Sequence, residues 1–250
     1  MDRFLRIERL LGPEAFARLR DNVVTIAGLG AVGGHAMEGL ARAGINRIRL
    51  VDFDVVRTHN INRQIIALES TVGTQKVIAA RDRILQINPA AQVEIMPTFI
   101  DQHSVGTILD PKPDLLIDAI DMVGPKVELL AAAFARGIPI ISSMGAALRT
   151  DPSQIKLADL MQTKKCPLAR RIRRRLRLRG IERGIPCVFS TEPVDFTYEE
   201  PEQEVGNEHL LPHQPSPRRV LGSLPTLTGI FGLIIANQAI RQLSGLQYKS

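Results

Sequence analysis

A glycine-rich loop between a short apolar segment and a helical pattern constrains the fold of this chain more than any other feature. Residues 22–27 are largely apolar and β-branched, as is typical of a buried parallel strand. The loop follows at once, residues 36–43 have the pattern of a helix, and residues 47–53 that of a second strand. The loop has the spacing Gly-x-Gly-x-x-Gly, with its glycines at Gly28, Gly30 and Gly33. This β–α–β unit predicts a Rossmann-like fold.

Strand and helix patterns continue to alternate as far as about residue 150. Helices are predicted at residues 3–19, 74–86 and 127–136, and further strands at residues 92–96, 115–119 and 138–142. Such alternation favours a doubly wound α/β fold, with a mainly parallel sheet and helices on both faces. Because 250 residues suffice for one such domain, we expect residues 1–250 to form a single domain.

The pattern is less regular after residue 150. Residues 164–183 are predicted to form a basic helical insertion, and residues 192–217, with five prolines and seven acidic residues, a loop-like segment. Residues 225–243 return to an apolar helical pattern. No charged residue lies in 220–240, which raises the question of a membrane span. Proline, glycine and amide interruptions favour a buried helix instead.

Each glycine of the loop has a physical reason in a nucleotide site. Gly28 permits the tight turn, Gly30 lets a phosphate approach the backbone, and Gly33 lets the helix pack closely on the strand. The free N–H groups at the start of the helix then face the anion. Asp52 ends the next strand, about 20 residues after the loop, where a carboxylate can bond ribose hydroxyls. These features predict nucleotide binding, but they fit a nicotinamide dinucleotide as well as ATP.

The stretch after Asp52 favours ATP over a nicotinamide cofactor. The candidate nucleotide ligands in it are Asp54, Asn60, Arg63, Gln64 and Lys76. A dinucleotide would not need two cations and an amide there, whereas the phosphates of ATP carry several negative charges. Asp118 and Asp121 follow a later strand, where a carboxylate can hold a Mg²⁺ ion that bridges phosphates.

The net charge of +6 is concentrated in one run of arginines. Eight arginines and one acidic residue lie between Arg170 and Arg183. Such a run indicates either a polyanionic partner or a solvated helix face. In the second case the arginines would pair with the acidic residues of 192–208 and would have no binding role.

The two cysteines, Cys166 and Cys187, have no Cys-x-x-Cys spacing. This argues against a disulfide framework and against a four-cysteine zinc site. The N-terminus lacks the long apolar stretch of a signal peptide, so we expect a cytoplasmic protein.

As a set, the nucleotide motifs resemble those of the ubiquitin-activating-like adenylyltransferases, the ThiF/MoeB superfamily. The resemblance covers roughly residues 1–150 and implies a ThiF-type adenylation domain that binds ATP and Mg²⁺. The matching motifs are Arg3-Phe4-x-x-x-x-Arg9, the glycine loop, Asp52-Phe53-Asp54, Asn60-Ile61-Asn62-Arg63-Gln64, Val72-Gly73-x-x-Lys76 and Asp118-Ala119-Ile120-Asp121. One departure is Ala31, where the family usually has a glycine.

Residue roles follow from this resemblance. It implies that Asp52 holds the ribose and that Arg63 and Lys76 hold phosphates. It implies that Asp121 holds the metal. In a homodimer, Arg6 or Arg9 of the N-terminal helix would reach the ATP of the partner subunit.

Further motifs resemble the branch of the superfamily that acts on threonylcarbamoyladenosine in tRNA. They include Gln86-Ile87-Asn88-Pro89, Asp151-Pro152-x-Gln154-Ile155 and Cys187-Val188-Phe189-Ser190-Thr191-Glu192. This resemblance implies tRNA as a partner and an ATP-dependent cyclisation of the threonylcarbamoyl group through an acyl adenylate. The cysteine that some relatives carry near Gly222 is missing, which argues against a thioester step. A sulfur-transfer partner, such as a cysteine desulfurase or sulfur acceptor, stays open.

Three alternatives remain at this point. One is an adenylating activator of the C-terminus of a ubiquitin-like or sulfur-carrier protein, although the paired Cys-x-x-Cys of its usual zinc ribbon is absent. Another is a nicotinamide oxidoreductase, which Arg63 and Lys76 disfavour. The third is a non-catalytic scaffold that binds ATP without turnover.

Overall fold

A seven-stranded sheet runs through the protein, for which the computed structural model describes residues 3–194 and 221–246. The strands are β1 (Val23–Ala27), β2 (Arg47–Val51), β3 (Gln92–Met96), β4 (Leu115–Asp118), β5 (Ile140–Ser143), β6 (Ile155–Asp159) and β7 (Pro186–Ser190). Their order in the sheet is β3-β2-β1-β4-β5-β7-β6, and only the pairing of β6 with β7 is antiparallel. The expected doubly wound α/β fold with a mainly parallel sheet is confirmed.

Helices cover both faces of this sheet. They are α1 (Leu5–Leu11), α2 (Pro13–Asp21), α3 (Ala31–Ala43), α4 (Lys76–Ile87), α5 (Val105–Ile108), α6 (Val123–Ala135), α7 (Pro167–Arg177) and α8 (Pro225–Ser244). Apolar side chains of α2, α3, α4 and α8 pack in the core of one face. Those of α5, α6 and α7 pack in the core of the other face. Both cores are therefore built from apolar faces whose spacing matches the helical and strand periods.

Helix α8 packs directly on α3, the helix that the glycine-rich loop opens. A Cβ atom on Gly232 would lie 2.4 Å from the backbone oxygen of Val32, and one on Gly39 would lie 2.8 Å from the Cβ atom of Ala236. Glycines at the crossing therefore let the two helices approach closely. The apolar helix predicted at residues 225–243 is confirmed, and ten of the 20 residues of α8 are buried. Within residues 3–194 and 221–246, no helix is long and apolar enough to cross a membrane.

The structure corrects two expectations at the level of elements. The single helix predicted at residues 3–19 is two helices, because Gly12 adopts a positive φ of 83° and Pro13 starts α2. The irregular region after residue 150 contains β6 and β7, which the sequence did not predict. They extend the sheet beyond β5 as an antiparallel pair at its edge.

The basic insertion predicted at residues 164–183 contains helix α7 and lies between β6 and β7. It is packed into the fold, because Ala169, Ile172 and Leu176 are fully buried. The loop-like segment predicted at residues 192–217 falls mostly in residues 195–220, outside the described residues, so this prediction is not tested.

Candidate nucleotide-binding site

The glycine loop, Asp52 and the turn after Asp118 lie at the point where the strand order of the sheet changes direction. Strand β1 lies between β2 and β4, and the connections that follow β1 and β4 run to opposite sides of this point. In open α/β sheets, ligands bind in the crevice at the carboxyl ends of such strands. The loop of Gly28, the side chain of Asp52 and the turn after Asp118 all follow strands that end at this edge.

The three loop glycines have different surroundings. Gly28 has a φ of 89°, and a Cβ atom there would lie 2.8 Å from the backbone oxygen of Ala119. A Cβ atom on Gly33 would lie 1.8 Å from the oxygen of Gly28, which is far inside van der Waals contact. A Cβ atom on Gly30 would meet no atom within 4 Å. Gly28 and Gly33 are therefore required by the fold, whereas Gly30 leaves open space at the start of α3, where free N–H groups can bind an anion.

Asp52 holds the glycine loop as well as pointing to the crevice. Its Oδ2 atom accepts a hydrogen bond of 2.7 Å from the backbone N–H of Leu29, and its Oδ1 atom one of 2.9 Å from that of Asp54. Burial raises the pKa of Asp52, and the charge of Lys76 opposes this shift. Each carboxylate oxygen retains a lone pair that a ribose hydroxyl could use. The link to Leu29 is a second role that the sequence did not predict.

Lys76 lies beside Asp52 and pairs with Asp54. The Nζ atom of Lys76 is 2.9 Å from the Oδ2 atom of Asp54, and only 7% of the lysine side chain is exposed. The backbone N–H of Lys76 also donates to the backbone oxygen of Asp54 at 3.0 Å. This double contact fixes the first residue of α4 against the end of β2. It places a cation, already neutralised by a carboxylate, beside Asp52, and the role of Lys76 in phosphate binding stays a prediction.

The segment between Arg57 and Gln64 is ordered by Asn60. The buried Oδ1 atom of Asn60 accepts from the backbone N–H of Arg57 at 3.0 Å, and its backbone oxygen accepts from the N–H groups of Arg63 and Gln64 at 3.1 and 2.9 Å. Asn60 therefore shapes the turn that presents its neighbours. Arg63 is half-buried and donates to the backbone oxygen of His59 at 2.8 Å.

Gln64 carries a buried acceptor without a partner. Its side chain is 6% exposed, and its Oε1 atom has no hydrogen-bond donor among the described residues. An unmade hydrogen bond of this kind costs roughly 1–3 kcal/mol, so it is rare in a finished protein interior. A ligand that carries an N–H or O–H group, as a nucleoside does, would satisfy it.

The two aspartates after β4 have different environments. Asp118 is fully buried, and its Oδ2 atom lies 2.6 Å from the Nζ atom of Lys126 and 2.6 Å from the Oγ atom of Ser142. Its Oδ1 atom accepts from the backbone N–H of Ile120 at 3.1 Å. Both carboxylate oxygens of Asp118 are therefore already bonded within the protein. This argues against Asp118 as a second candidate for the metal ligand. Asp121 is exposed.

Lys126 and Ser142 are site residues that sequence reasoning missed. Lys126 is a fully buried cation in the first turns of α6, where it also donates to the backbone oxygen of Ile120 at 3.0 Å. A lysine in an otherwise apolar helix that directly follows the Asp-x-x-Asp motif was the available signal. The network sets the conformation of the turn that carries Asp121.

The donor set at the crevice suits Mg²⁺ only together with phosphates. The described part of the chain contains no group of three or more His, Cys, Asp or Glu side chains that could hold a metal ion. Mg²⁺ commonly takes one or two carboxylates and fills its other positions with phosphate oxygens and water. The single exposed carboxylate of Asp121 fits that pattern.

Arg6 and Arg9 lie apart from the crevice of their own chain. The start of α1 packs at the far ends of α3 and α4, because Phe4 lies against Gly44 and Arg3 donates to the backbone oxygen of Ile87 at 2.7 Å. Helix α3 has 13 residues, so its far end is about 20 Å from the glycine loop. Arg6 and Arg9 are exposed on α1, and the structure does not bring them to the other site residues.

Both cysteines are buried in the described structure. Burial raises the pKa of the Cys187 thiol to about 12. Cys166 precedes α7, and its Sγ atom accepts from the backbone N–H of Ala169 at 3.5 Å. Since the thiolate is the reactive form, Cys187 is inert at neutral pH.

A Rossmann-like sheet with a glycine loop at the carboxyl end of β1 and a buried lysine beside Asp52 defines an α/β domain of the nucleotide-binding class. The particular family is shown by comparison, because the ThiF family matches residues 1–250. The chain belongs to the ThiF family.

Named relatives support a narrower comparison. The chain is 40% identical to the tRNA threonylcarbamoyladenosine dehydratase of Bacillus subtilis (strain 168) over 208 residues, which are 83% of this chain and 82% of that protein. It is 36% identical to the molybdopterin-synthase adenylyltransferase of Escherichia coli (strain K12) over 133 residues, 53% of this chain and 52% of that protein.

A solved structure matches nearly the whole fold. The E. coli tRNA N6-threonylcarbamoyladenosine dehydratase in complex with AMP has a TM-score of 0.85 and 33% sequence identity, covering 97% of this chain and 94% of that chain. The same E. coli enzyme in complex with ATP has a TM-score of 0.84 at the same identity and coverage.

Proposed function

We propose that this protein is an ATP-dependent tRNA threonylcarbamoyladenosine dehydratase that works through carboxylate adenylation. The observation that carries the proposal is the likeness, over 97% of the chain, to the E. coli dehydratase that binds ATP and AMP. Three features of the structure support it, because a glycine loop at a helix start, a buried lysine beside Asp52 and a buried glutamine oxygen without a partner in the described residues all suit a nucleotide ligand.

The proposed nucleotide site uses the residues of the glycine loop and the two strands beside it. The N–H groups after Gly30 bind phosphate, and the remaining lone pairs of Asp52 accept the ribose hydroxyls. Arg63 and Lys76 neutralise the negative charge of the phosphates. To do so, Lys76 gives up part of its contact with Asp54. The orphan oxygen of Gln64 accepts from the nucleoside. Asn60 holds the turn that carries both Arg63 and Gln64.

The proposed chemistry activates a carboxylate that is otherwise a poor electrophile. An oxygen of the threonyl carboxylate attacks the α-phosphorus of ATP, and pyrophosphate leaves. An atom of the same threonylcarbamoyl group then attacks the acyl carbon, and AMP leaves with the former carboxylate oxygen, so the nucleoside has lost one water. Mg²⁺ bound through Asp121 would supply charge neutralisation on the phosphates. No thioester is required, in agreement with the burial of both cysteines.

The proposal extends to a homodimer in which Arg9 completes the site of the partner subunit. It is motivated by the exposed position of Arg9 on α1, away from the crevice of its own chain. A mixture of Arg9→Ala and Asp121→Ala proteins should recover activity that neither has alone, since one site of a mixed dimer is intact. Absence of recovery in a verified mixed dimer would exclude the arrangement.

The test of the function is a direct assay of both half-reactions. The protein is incubated with ATP, Mg²⁺ and tRNA that carries or lacks the threonylcarbamoyl group, and AMP is measured together with the mass of the modified nucleoside. We expect AMP and a nucleoside lighter by one water only with the modified tRNA. ATP should also bind at least about tenfold more tightly than NAD, a difference of about 1.4 kcal/mol.

A matched pair of variants sharpens this assay. Asp121→Asn should abolish turnover and leave the fold intact, because the side chain is exposed and carries no structural contact in the described residues. Lys112→Gln, at an exposed position before β4, is the control and should retain activity. AMP formation with a carrier protein instead of tRNA, or tighter NAD binding, would overturn the proposal.

A further inference from the structure

The fold separates the arginines of residues 170–179 into those that contact other parts of the protein and those that do not. The apolar side of the helix, formed by Ala169, Ile172 and Leu176, is buried against α6 and the sheet. Because these residues repeat at helical spacing, the arginines are confined to the remaining surface of the helix. Which of them is free then depends on contacts that the sequence does not reveal.

Two arginines of this segment are used by the fold. Arg173 is half-buried and donates from Nη1 to the backbone oxygen of Thr163 at 2.8 Å, which ties the helix to the turn before it. Arg179 donates from Nη1 to Glu128 of α6 at 3.0 Å and forms an ion pair with it. Both are structural contacts between α7 and its surroundings. Arg175 is exposed but lies near Glu128, whose pKa its charge helps to lower.

Four other arginines of α7 form an exposed ridge, which we call the arginine ridge and which consists of Arg170, Arg171, Arg174 and Arg177. All four side chains are exposed, and none has a hydrogen bond or an ion pair among the described residues. Glu192, the one acid of the 192–208 run that lies within the described residues, is bound to Thr150 and Asp151 at 2.9–3.1 Å. The ridge is thus a concentrated positive charge with no partner in the described structure.

The ridge begins beside the nucleotide crevice. Cys166 and Leu168, at the start of α7, lie against Gly145, which follows the carboxyl end of β5. The buried guanidinium of Arg149 holds this junction, donating to the backbone oxygens of Ala147 and Lys165 at 3.0 and 3.1 Å. From Arg170 to Arg177 the ridge then extends about 10 Å along the helix, away from the crevice.

We propose that the arginine ridge binds the phosphate backbone of the RNA substrate and so positions the modified nucleoside at the adenylation crevice. This inference rests on the proposed function and adds the surface that recognises the substrate. Guanidinium groups bind phosphate in bidentate geometry, and backbone contacts of this kind need no sequence readout. A protein partner would be expected to use apolar or aromatic anchors, whereas the exposed surface of α7 consists mainly of arginines.

The experiment compares three proteins in RNA binding across a salt series from roughly 50 to 200 mM. The test variant is R170Q/R174Q/R177Q, and Gln keeps the helix because its helix propensity is similar to that of Arg. The control, R47Q/K112Q/R136Q, loses the same charge at exposed positions near the amino ends of β2, β4 and β5. The third protein, R170K/R174K/R177K, keeps the charge of the ridge.

The expected result is specific to the ridge. The Gln variant should bind tRNA on the order of tenfold more weakly at low salt, and its salt slope should fall by about 3, one for each lost phosphate contact. The Lys variant and the control should keep the slope of the parent, and all proteins should keep the ATP affinity of the parent by calorimetry.

The outcomes separate this inference from the proposed function. If the parent dehydrates modified tRNA but the Gln variant binds RNA as tightly and with the same slope, the ridge is not the RNA surface. An equal loss of RNA binding in the control would also overturn the inference, because the loss would then follow from the net charge of the protein and not from the position of the ridge. If the ridge variant loses RNA binding while the parent shows no turnover with modified tRNA, the inference stands and the proposed reaction fails. Binding of an acidic protein but not RNA by the parent would overturn the inference.

Discussion

The Nζ atom of Lys126 lies 2.6 Å from the Oδ2 atom of Asp118, and both side chains are fully buried. Loss of one member of such a pair leaves an uncompensated buried charge. We therefore expect Lys126→Met to reduce the free energy of unfolding by about 3–5 kcal/mol, measured by urea denaturation.

A double-mutant cycle separates the ion pair from simple packing loss. Asp118→Asn combined with Lys126→Met removes both charges, so the double variant should be less destabilised than the sum of the two single changes. A cost for Lys126→Met no larger than about 1 kcal/mol, the typical cost of a substitution, would contradict this view of the turn before Asp121.

The second prediction concerns two glycines of the same loop. Gly33→Ala should prevent stable folding, because its Cβ atom would lie 1.8 Å from the oxygen of Gly28. Gly30→Ala should stay within about 1 kcal/mol of the parent in stability, since its Cβ atom would meet nothing and only the helix cap changes. ATP affinity of Gly30→Ala should nevertheless fall at least about tenfold, because the methyl group occupies the space of a phosphate. If calorimetry finds the ATP affinity of Gly30→Ala unchanged, the loop is not part of the ATP-binding site.

The third prediction concerns thiol reactivity. Since burial raises the pKa of Cys187 to about 12 and Cys166 is 5% exposed, the native protein should not react with a thiol reagent at neutral pH. Both thiols should react once the protein is unfolded in urea. Cys166→Ser combined with Cys187→Ala should retain substantial activity, with Ala chosen because a hydroxyl would be buried among apolar groups. Loss of activity in a folded variant would point to a covalent step.

The fourth prediction is a pH dependence of stability from Glu38, which links α3 to α4. Burial of Glu38 raises its pKa, but hydrogen bonds from Arg83 and Arg42 outweigh this, so the net pKa is below its ordinary value of 4.5. The native state therefore favours the charged form, and this stabilisation is present above pH 4.5 and lost as the pH falls through the lowered value. Glu38→Gln should be less stable than the parent at neutral pH, and the difference should shrink below about pH 4.5. A constant difference in unfolding free energy across this range would exclude the mechanism.

Much of the nucleotide site was predictable because its signals are local. The glycine spacing, the strand before it and the carboxylate at the end of the next strand lie within one β–α–β unit, so periodicity and chain order were enough to locate them. The role of Gln64 as a nucleotide ligand stays a prediction, and its oxygen without a partner could be found only from its buried surroundings. Strands β6 and β7 were missed although they are as long as β1, because the whole basic insertion separates the two strands that pair.

The sequence by itself determined the doubly wound α/β fold, the glycine loop and the candidate ligands, since strand and helix periods and strand-end positions are properties of neighbouring residues. Only the tertiary structure decided which charged side chains are paired with other groups of the protein. Asp118 is bound to Lys126 and Ser142, whereas Asp121 is exposed; Arg173 and Arg179 hold the fold, whereas Arg170 and Arg174 do not. The physical reason is that the partner of a charged side chain is set by which distant segments pack together, and sequence spacing does not record that contact.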